Sequence, residues 1–144
     1  MRKAILLLLV LALAAAGCGD DEEGATTTVA AGEAVLTVAD KGFTMAELEA
    51  LGVETLNLEN PRSGPADYTG VRLGAVLAAA GLSEAATTLT FIASDGYEFE
   101  APLADVLACA DCLLAFDDDG TLRTAMPGIE NKAWVKDVIE IVAS

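Results

Sequence analysis

Residues 88–102, TLTFIASDGYEFEAP, constrain the fold of this chain more than any other stretch. A β-branched and apolar run meets Ser94-Asp95-Gly96, a triplet suited to tight reversal. Beyond it, Tyr97 and Phe99 alternate with Glu98 and Glu100. A period of two puts successive side chains on opposite faces of a strand, so the segment predicts a β-hairpin.

The neighbouring segments are equally short. AVLTVA from Ala34 reads as a strand, and TMAELEAL from Thr44 as a helix whose Thr44 and Glu47 stand at capping-box spacing. VETLNLEN alternates as a strand up to Asn60-Pro61, after which PRSGPADYTG reads as a loop. VRLGAVLAAAG predicts a helix with Val71, Leu73, Val76, Leu77 and Ala80 on one side and Gly81 as its stop. LADVLACA then reads as a short helix, CLLAF as a buried strand, DDDG as a turn, TLRTAM as a strand and WVKDVIEIVA as the last strand. Short helices among antiparallel-looking strands predict one compact α+β domain over residues 34–144.

The N-terminus carries different information. MRKAILLLLVLALAAAGC joins two cations, an apolar run and small residues, the pattern of an export signal over residues 1–17. The run is shorter than the roughly 20 residues a membrane-spanning helix needs. Its Ala-Ala-Gly-Cys ending resembles the lipobox of bacterial lipoproteins, which implies lipidation at Cys18 and an extracytoplasmic protein held on a membrane by its acyl chains. Residues 18–33 are rich in Gly, Thr, Ala and acids, and read as a flexible acidic tether reaching about 20 Å.

Loss of Arg2 and Lys3 with the signal leaves six basic against 23 acidic side chains, a formal charge of −17. Such a field repels phosphate backbones, which argues against nucleic acid as a partner. An anionic ligand would need cations gathered locally. Arg123, Lys132 and Lys136 lie close together near the C-terminus.

With Cys18 lipidated, Cys109 and Cys112 of CADC remain as a pair in an oxidising compartment. The spacing suits a structural disulfide between Cys109 and Cys112 first, ahead of a redox-active pair or half of a metal site. Asp111 lies between the sulfurs, and the pair follows a helix instead of starting one, so the local field opposes a thiolate. The chain contains no histidine, and no further cysteine is free to complete a zinc site. That lack also removes the usual base of serine catalysis. DDDG lacks the alternating acid spacing of a calcium loop. No catalytic residue and no metal ligand is assigned.

YTGVRLGAVLAAAGL, residues 68–82, resembles the W-x-G-V-P-L-x-x-L-L-x-x-A-G-L stretch of the sulfite-oxidase type of molybdopterin-binding domain. TLTFIASDGYEFEAPLADVL and LLAFDDDGTLRTAMPGIENKAWVKDVIEI are similar to that family's later segments, in the same order, so the resemblance covers nearly all of Ala34 to Ser144. It implies a mixed-sheet fold, here reduced in size, in which cations and backbone amides hold a pyranopterin phosphate and a cysteine thiolate ligates molybdenum. Where the family reads T-L-x-C-x-x-N-P, this chain reads TLNLENP, with Asn57, Leu58 and Glu59 where a thiolate would fall. The matched loop puts Ala133 where a Lys or Arg usually stands, keeps Lys136 in register, and sets Tyr68 at the aromatic position and Arg72 at the proline.

The resemblance therefore implies cofactor- or anion-binding candidates at Arg72, Arg123, Lys132 and Lys136. The reading is a membrane-anchored, non-catalytic binding or accessory module for a protein partner or small ligand, with no cofactor expected and molybdopterin entering by family resemblance only. Two alternatives stand beside it: a subunit of a molybdopterin-dependent oxidoreductase, and a thiol-redox lipoprotein built on Cys109 and Cys112.

Overall fold

A computed structural model describes residues 32–144. The export signal, Cys18 and most of the tether therefore lie outside the described residues. Nine strands form two sheets: β1 (Leu36–Val38), β2 (Lys41–Phe43), β3 (Val53–Asn60), β4 (Gly64–Arg72), β5 (Thr88–Ala93), β6 (Glu98–Pro102), β7 (Leu113–Phe116), β8 (Leu122–Ala125) and β9 (Val138–Ala143). One sheet has the order β2-β1-β9-β5-β6, and the other β3-β4-β7-β8. β1 runs parallel to β9 and every other pairing is antiparallel, so the first sheet is mixed. Three short helices, α1 (Met45–Glu49), α2 (Leu73–Ala80) and α3 (Leu103–Ala108), complete the α+β domain that the alternation and short helical runs predict. No helix among the described residues is long and apolar enough to cross a membrane.

Local chemistry explains the element boundaries. Thr44 and Glu47 form the full capping box at the start of α1, the Thr44 hydroxyl accepting from Glu47 N–H and the Glu47 carboxylate from Thr44 N–H at 2.8 Å. The bond from Thr44 N–H, seconded by the Thr44 side chain, holds the Glu47 carboxyl below its usual pKa. The predicted hairpin is β5–β6, with Leu89, Phe91 and Ala93 facing the core opposite Ala101 and Phe99. Full burial of a side chain such as Phe91 stabilises the fold by about 1.5–3 kcal/mol.

The structure corrects the sequence reading at three places. PRSGPADYTG is not a loop: the chain turns at Pro61–Ser63 and returns as β4, paired with β3 from Asn60↔Gly64 to Val53↔Val71. A single Pro and a polar face hid the strand. β2 was not anticipated, because three residues give no periodicity to read. The last strand begins at Val138 instead of Trp134, since Asp137 adopts a left-handed φ of 54° that breaks it from the preceding segment.

β7 covers only Gly70–Arg72 of β4, so most of the β3–β4 hairpin pairs with itself and extends past the sheet. Gly70 makes the crossing possible. A β-carbon there would collide with the Leu114 carbonyl and lie 2.6 Å from the Ala115 Cα. The main core fills the space between the sheets and helices, while a separate cluster of Leu58, Leu113, Ala125 and Trp134, edged by Leu56 and Tyr68, supports the hairpin.

Candidate functional site

The β3–β4 turn, the β5–β6 turn and the segment after β8 together line an open cavity of about 230 Å³, bordered by Arg62, Ala93, Asp95, Tyr97, Lys132, Trp134, Val135 and Lys136. After Met126 the chain passes through a Pro-Gly turn and a single 3-10 turn (Asn131–Ala133), then alternates: Lys132 exposed, Ala133 to Val135 buried, Lys136 exposed. Fully buried Thr124 fixes this path. Its hydroxyl donates to the Ala133 carbonyl at 2.6 Å and accepts from Val135 N–H at 2.8 Å, while its own N–H donates to the Val135 carbonyl. Both lysines are thereby carried on a backbone clipped to β8, with Tyr97 O–H donating to the Lys132 carbonyl at 3.3 Å.

Arg62 arrives from the other side, on the hairpin turn. Asn60, buried at the end of β3, accepts from Arg62 N–H through its side-chain oxygen at 2.9 Å and donates to the Tyr68 hydroxyl at 3.0 Å. Tyr68 meets Trp134 edge to face, with ring centroids 5.4 Å apart. Trp134 is 6% exposed, and its indole N–H is buried with no hydrogen-bond partner.

The four cation candidates divide in two. Lys132 and Lys136 line the cavity; Arg72 and Arg123 do not. Arg72, at the base of the hairpin, is held by Glu54, by Asp111 at 3.1 Å and by the Ala110 carbonyl. The Glu54 hydrogen bond is the main cause raising its pKa, partly offset by desolvation and reinforced by Asp111. Arg123 points away from its neighbour Thr124 and pairs with Asp117 at 2.9 Å across the DDDG turn. Arg62, the third cation of the cavity, was missed by the sequence reading. Its signal, a base directly after an Asn-Pro turn, has meaning only once the turn is seen to face the segment around Lys132.

The three positions where a thiolate would fall are filled by other chemistry. Asn57 is exposed and donates to Asp67 across the hairpin at 2.8 Å, Leu58 is 7% exposed in the cluster under Trp134, and Glu59 is exposed. Among the described residues, no group of three or more His, Cys, Asp or Glu converges to hold a metal ion.

Cys109 and Cys112 are joined as a disulfide with Cα atoms 5.4 Å apart. Cys109 borders a second cavity, about 460 Å³, which carries Glu100, Asp105 and Glu130 and no cation. Larger though it is, its acids only repeat the charge of the whole surface, whereas the smaller cavity reverses it.

A family model described as an oxidoreductase molybdopterin binding domain matches residues 27–144. No curated protein matches the chain. Among solved structures it is similar to the sulfane dehydrogenase SoxCD from Paracoccus pantotrophus, with 20% sequence identity and a TM-score of 0.61 over 75% of this chain. The matched part is 37% of that protein's chain.

Proposed function

Given that the chain belongs to the oxidoreductase molybdopterin-binding domain family, we propose that it is a lipid-anchored, extracytoplasmic and non-catalytic member, which binds a partner or small ligand at what remains of the cofactor cleft. The observation that carries this reading is the register of β3. Asn57 is engaged with Asp67, Leu58 is packed beneath the hairpin and Glu59 faces solvent, so no sulfur donor stands where the family's metal is gripped. An amide, an alkyl group and a hard carboxylate do not replace a thiolate for a soft-ligand metal site.

The cation set agrees with this. Arg72 and Arg123 are committed to Glu54, Asp111 and Asp117, which leaves them poorly disposed to hold a cofactor phosphate. The residues present do not fit the molybdenum cofactor, and no reaction step is assigned to it. Membrane attachment rests on the Ala-Ala-Gly-Cys sequence at Cys18, and the disulfide is of the kind that persists outside the cytoplasm.

Two measurements test the reading. Metal and pterin analysis of protein purified from its native host should find neither molybdenum nor pterin at stoichiometric level; a molybdenum-to-protein ratio near one overturns the non-catalytic assignment. The Cys18→Ser protein should leave the membrane fraction, and its retention there would refute acyl anchoring.

A further inference from the structure

Each sheet has two edge strands, and among the described residues three of these four edges are blunted. β2 is three residues long, and β6 is a five-residue strand that carries Glu98 and Glu100 and ends at Pro102. β8 is covered by the segment after it, Thr124 N–H donating to the Val135 carbonyl at 2.9 Å beside an Arg123↔Lys136 bridge. β3 has no such protection. It runs eight residues without proline, glycine or lysine, in unbroken register with β4, and among the described residues no strand pairs with its outer edge. The hydrogen-bond phase shows which groups that edge leaves free. Leu73 N–H donates to the Cys112 carbonyl, so odd-numbered residues of β4 turn their backbone toward β7 and even-numbered ones toward β3. By the β3–β4 register, Glu54, Leu56, Leu58 and Asn60 then direct their N–H and C=O groups to β4, while Val53, Thr55, Asn57 and Glu59 point theirs outward.

We infer that β3 pairs with the β3 strand of a second copy of this chain, antiparallel about a twofold axis at Leu56, joining two four-stranded sheets into one. The side chains select a second copy as the occupant. With Leu56 opposite Leu56, the outward groups of Val53 meet those of Glu59 and the outward groups of Thr55 meet those of Asn57, which completes an antiparallel ladder. Neither acid of β3 then faces another acid: Glu54 lies opposite Leu58, and Glu59 opposite Val53. In a chain of formal charge −15, this strip is also where acidity is largely cancelled, since Arg72 holds Glu54 and the Asn57 amide holds Asp67. On the other face, half-buried Leu56 edges the cluster of Leu58, Leu113, Ala125 and Trp134. Pairing sets two Leu56 side chains against each other at a non-hydrogen-bonded site, where antiparallel strands bring side chains closest. One strand pair is a small interface, so the dimer belongs to the weak, reversible class. Both copies are anionic, and the dimer tightens as salt screens the repulsion between them. The pairing does not depend on what the cofactor cleft binds.

Cross-linking of the full chain in cells that express it tests the pairing. Facing Cα atoms at a non-hydrogen-bonded site lie about 4.5 Å apart, within the range a disulfide spans. Under mild oxidation Leu56→Cys should therefore give a disulfide-linked dimer, well above the yield of Glu98→Cys on the β6 edge, with the parent chain as baseline. Val53→Cys combined with Glu59→Cys, both at exposed positions, should cross-link as well and leaves the Leu58 cluster untouched. The register is tested in the Leu56→Cys background. Thr55→Lys with Asn57→Lys sets lysines opposite each other, whereas Thr55→Glu with Asn57→Lys sets opposite charges there. Both replace the same two side chains, which bond Thr69 and Asp67 within the hairpin. Dimer yield should be about tenfold lower in the first than in the second, because the twofold axis repeats each cross-strand pair. No dimer from either cysteine design, a yield no higher than that of Glu98→Cys, or equal yields from the two charge variants overturns the inference, the edge then being open or filled by another chain.

Discussion

The path of the Lys132–Lys136 segment depends on one hydroxyl, and Thr124→Val tests that dependence. Valine matches threonine in shape, so the substitution removes hydrogen bonding while leaving packing nearly intact. Two buried groups lose their partner: Val135 N–H, 2.8 Å from Oγ1, and the Ala133 carbonyl, 2.6 Å from it. A buried group left unsatisfied costs about 1–3 kcal/mol, and a carbonyl with two lone pairs falls toward the lower end. The expected loss is therefore about 2–4 kcal/mol, a large fraction of the roughly 5–15 kcal/mol that holds a typical domain together. With a urea m-value of about 2 kcal/mol/M, the midpoint should fall by about 1–2 M at unchanged slope. Thr124→Ser keeps the hydroxyl and should lose only about 1 kcal/mol for the missing methyl. Thr121→Val, at a more accessible hydroxyl bonded to exposed Asp119, should stay within about 0.5 kcal/mol. If Thr124→Val unfolds with the parent, or Thr124→Ser is equally damaging, the hydroxyl does not anchor the segment.

Gly70→Ala should destabilise by about 1–3 kcal/mol or more, because its β-carbon meets backbone of β7 that cannot rotate away; an unchanged thermal midpoint would refute the close crossing. Removing the disulfide by Cys109→Ser with Cys112→Ser should cost about 2 kcal/mol by the chain-entropy relation for so short a loop, and a loss above about 4 kcal/mol in urea unfolding would mean the pair does more than constrain the unfolded chain. The capping box makes a pH prediction. Glu47 has a folded pKa below its unfolded one, so its contribution is full above the unfolded value and is lost as pH falls through the depressed folded value. Glu47→Gln should therefore flatten the acid side of the stability profile, and profiles of the same steepness would contradict the cap.

What was legible in the sequence was whatever left a local trace. The β5–β6 hairpin shows its period, α1 its capping box and α2 its Gly81 stop, now in the left-handed conformation at φ 66°. β4 left little trace: Gly64, Pro65 and Asp67 are poor strand formers, tolerated because this part of the strand pairs only with β3 and exposes its side chains. The cation site was half legible. Lys132 and Lys136 flank an aromatic within one short segment, but Arg62 lies far away in sequence and is brought to them by a hairpin read as a loop.

Charge pairing explains why proximity in sequence misled at Arg72 and Arg123. Where acids outnumber bases by 23 to 8, a cation placed without constraint finds a carboxylate, as Arg72 finds Glu54 and Asp111, and Arg123 finds Asp117. These pairs are half-buried and still reach solvent, where an ion pair contributes little to stability, about 1 kcal/mol or less, so they record local composition. Keeping three cations apart from that excess requires the backbone to hold them: Asn60 fixes the turn beneath Arg62, and Thr124 fixes the segment carrying Lys132 and Lys136. Both anchors are buried polar side chains, the kind a fold retains only where their bonds are satisfied. The domain thus places two such residues beneath a cavity whose local charge opposes that of the whole chain.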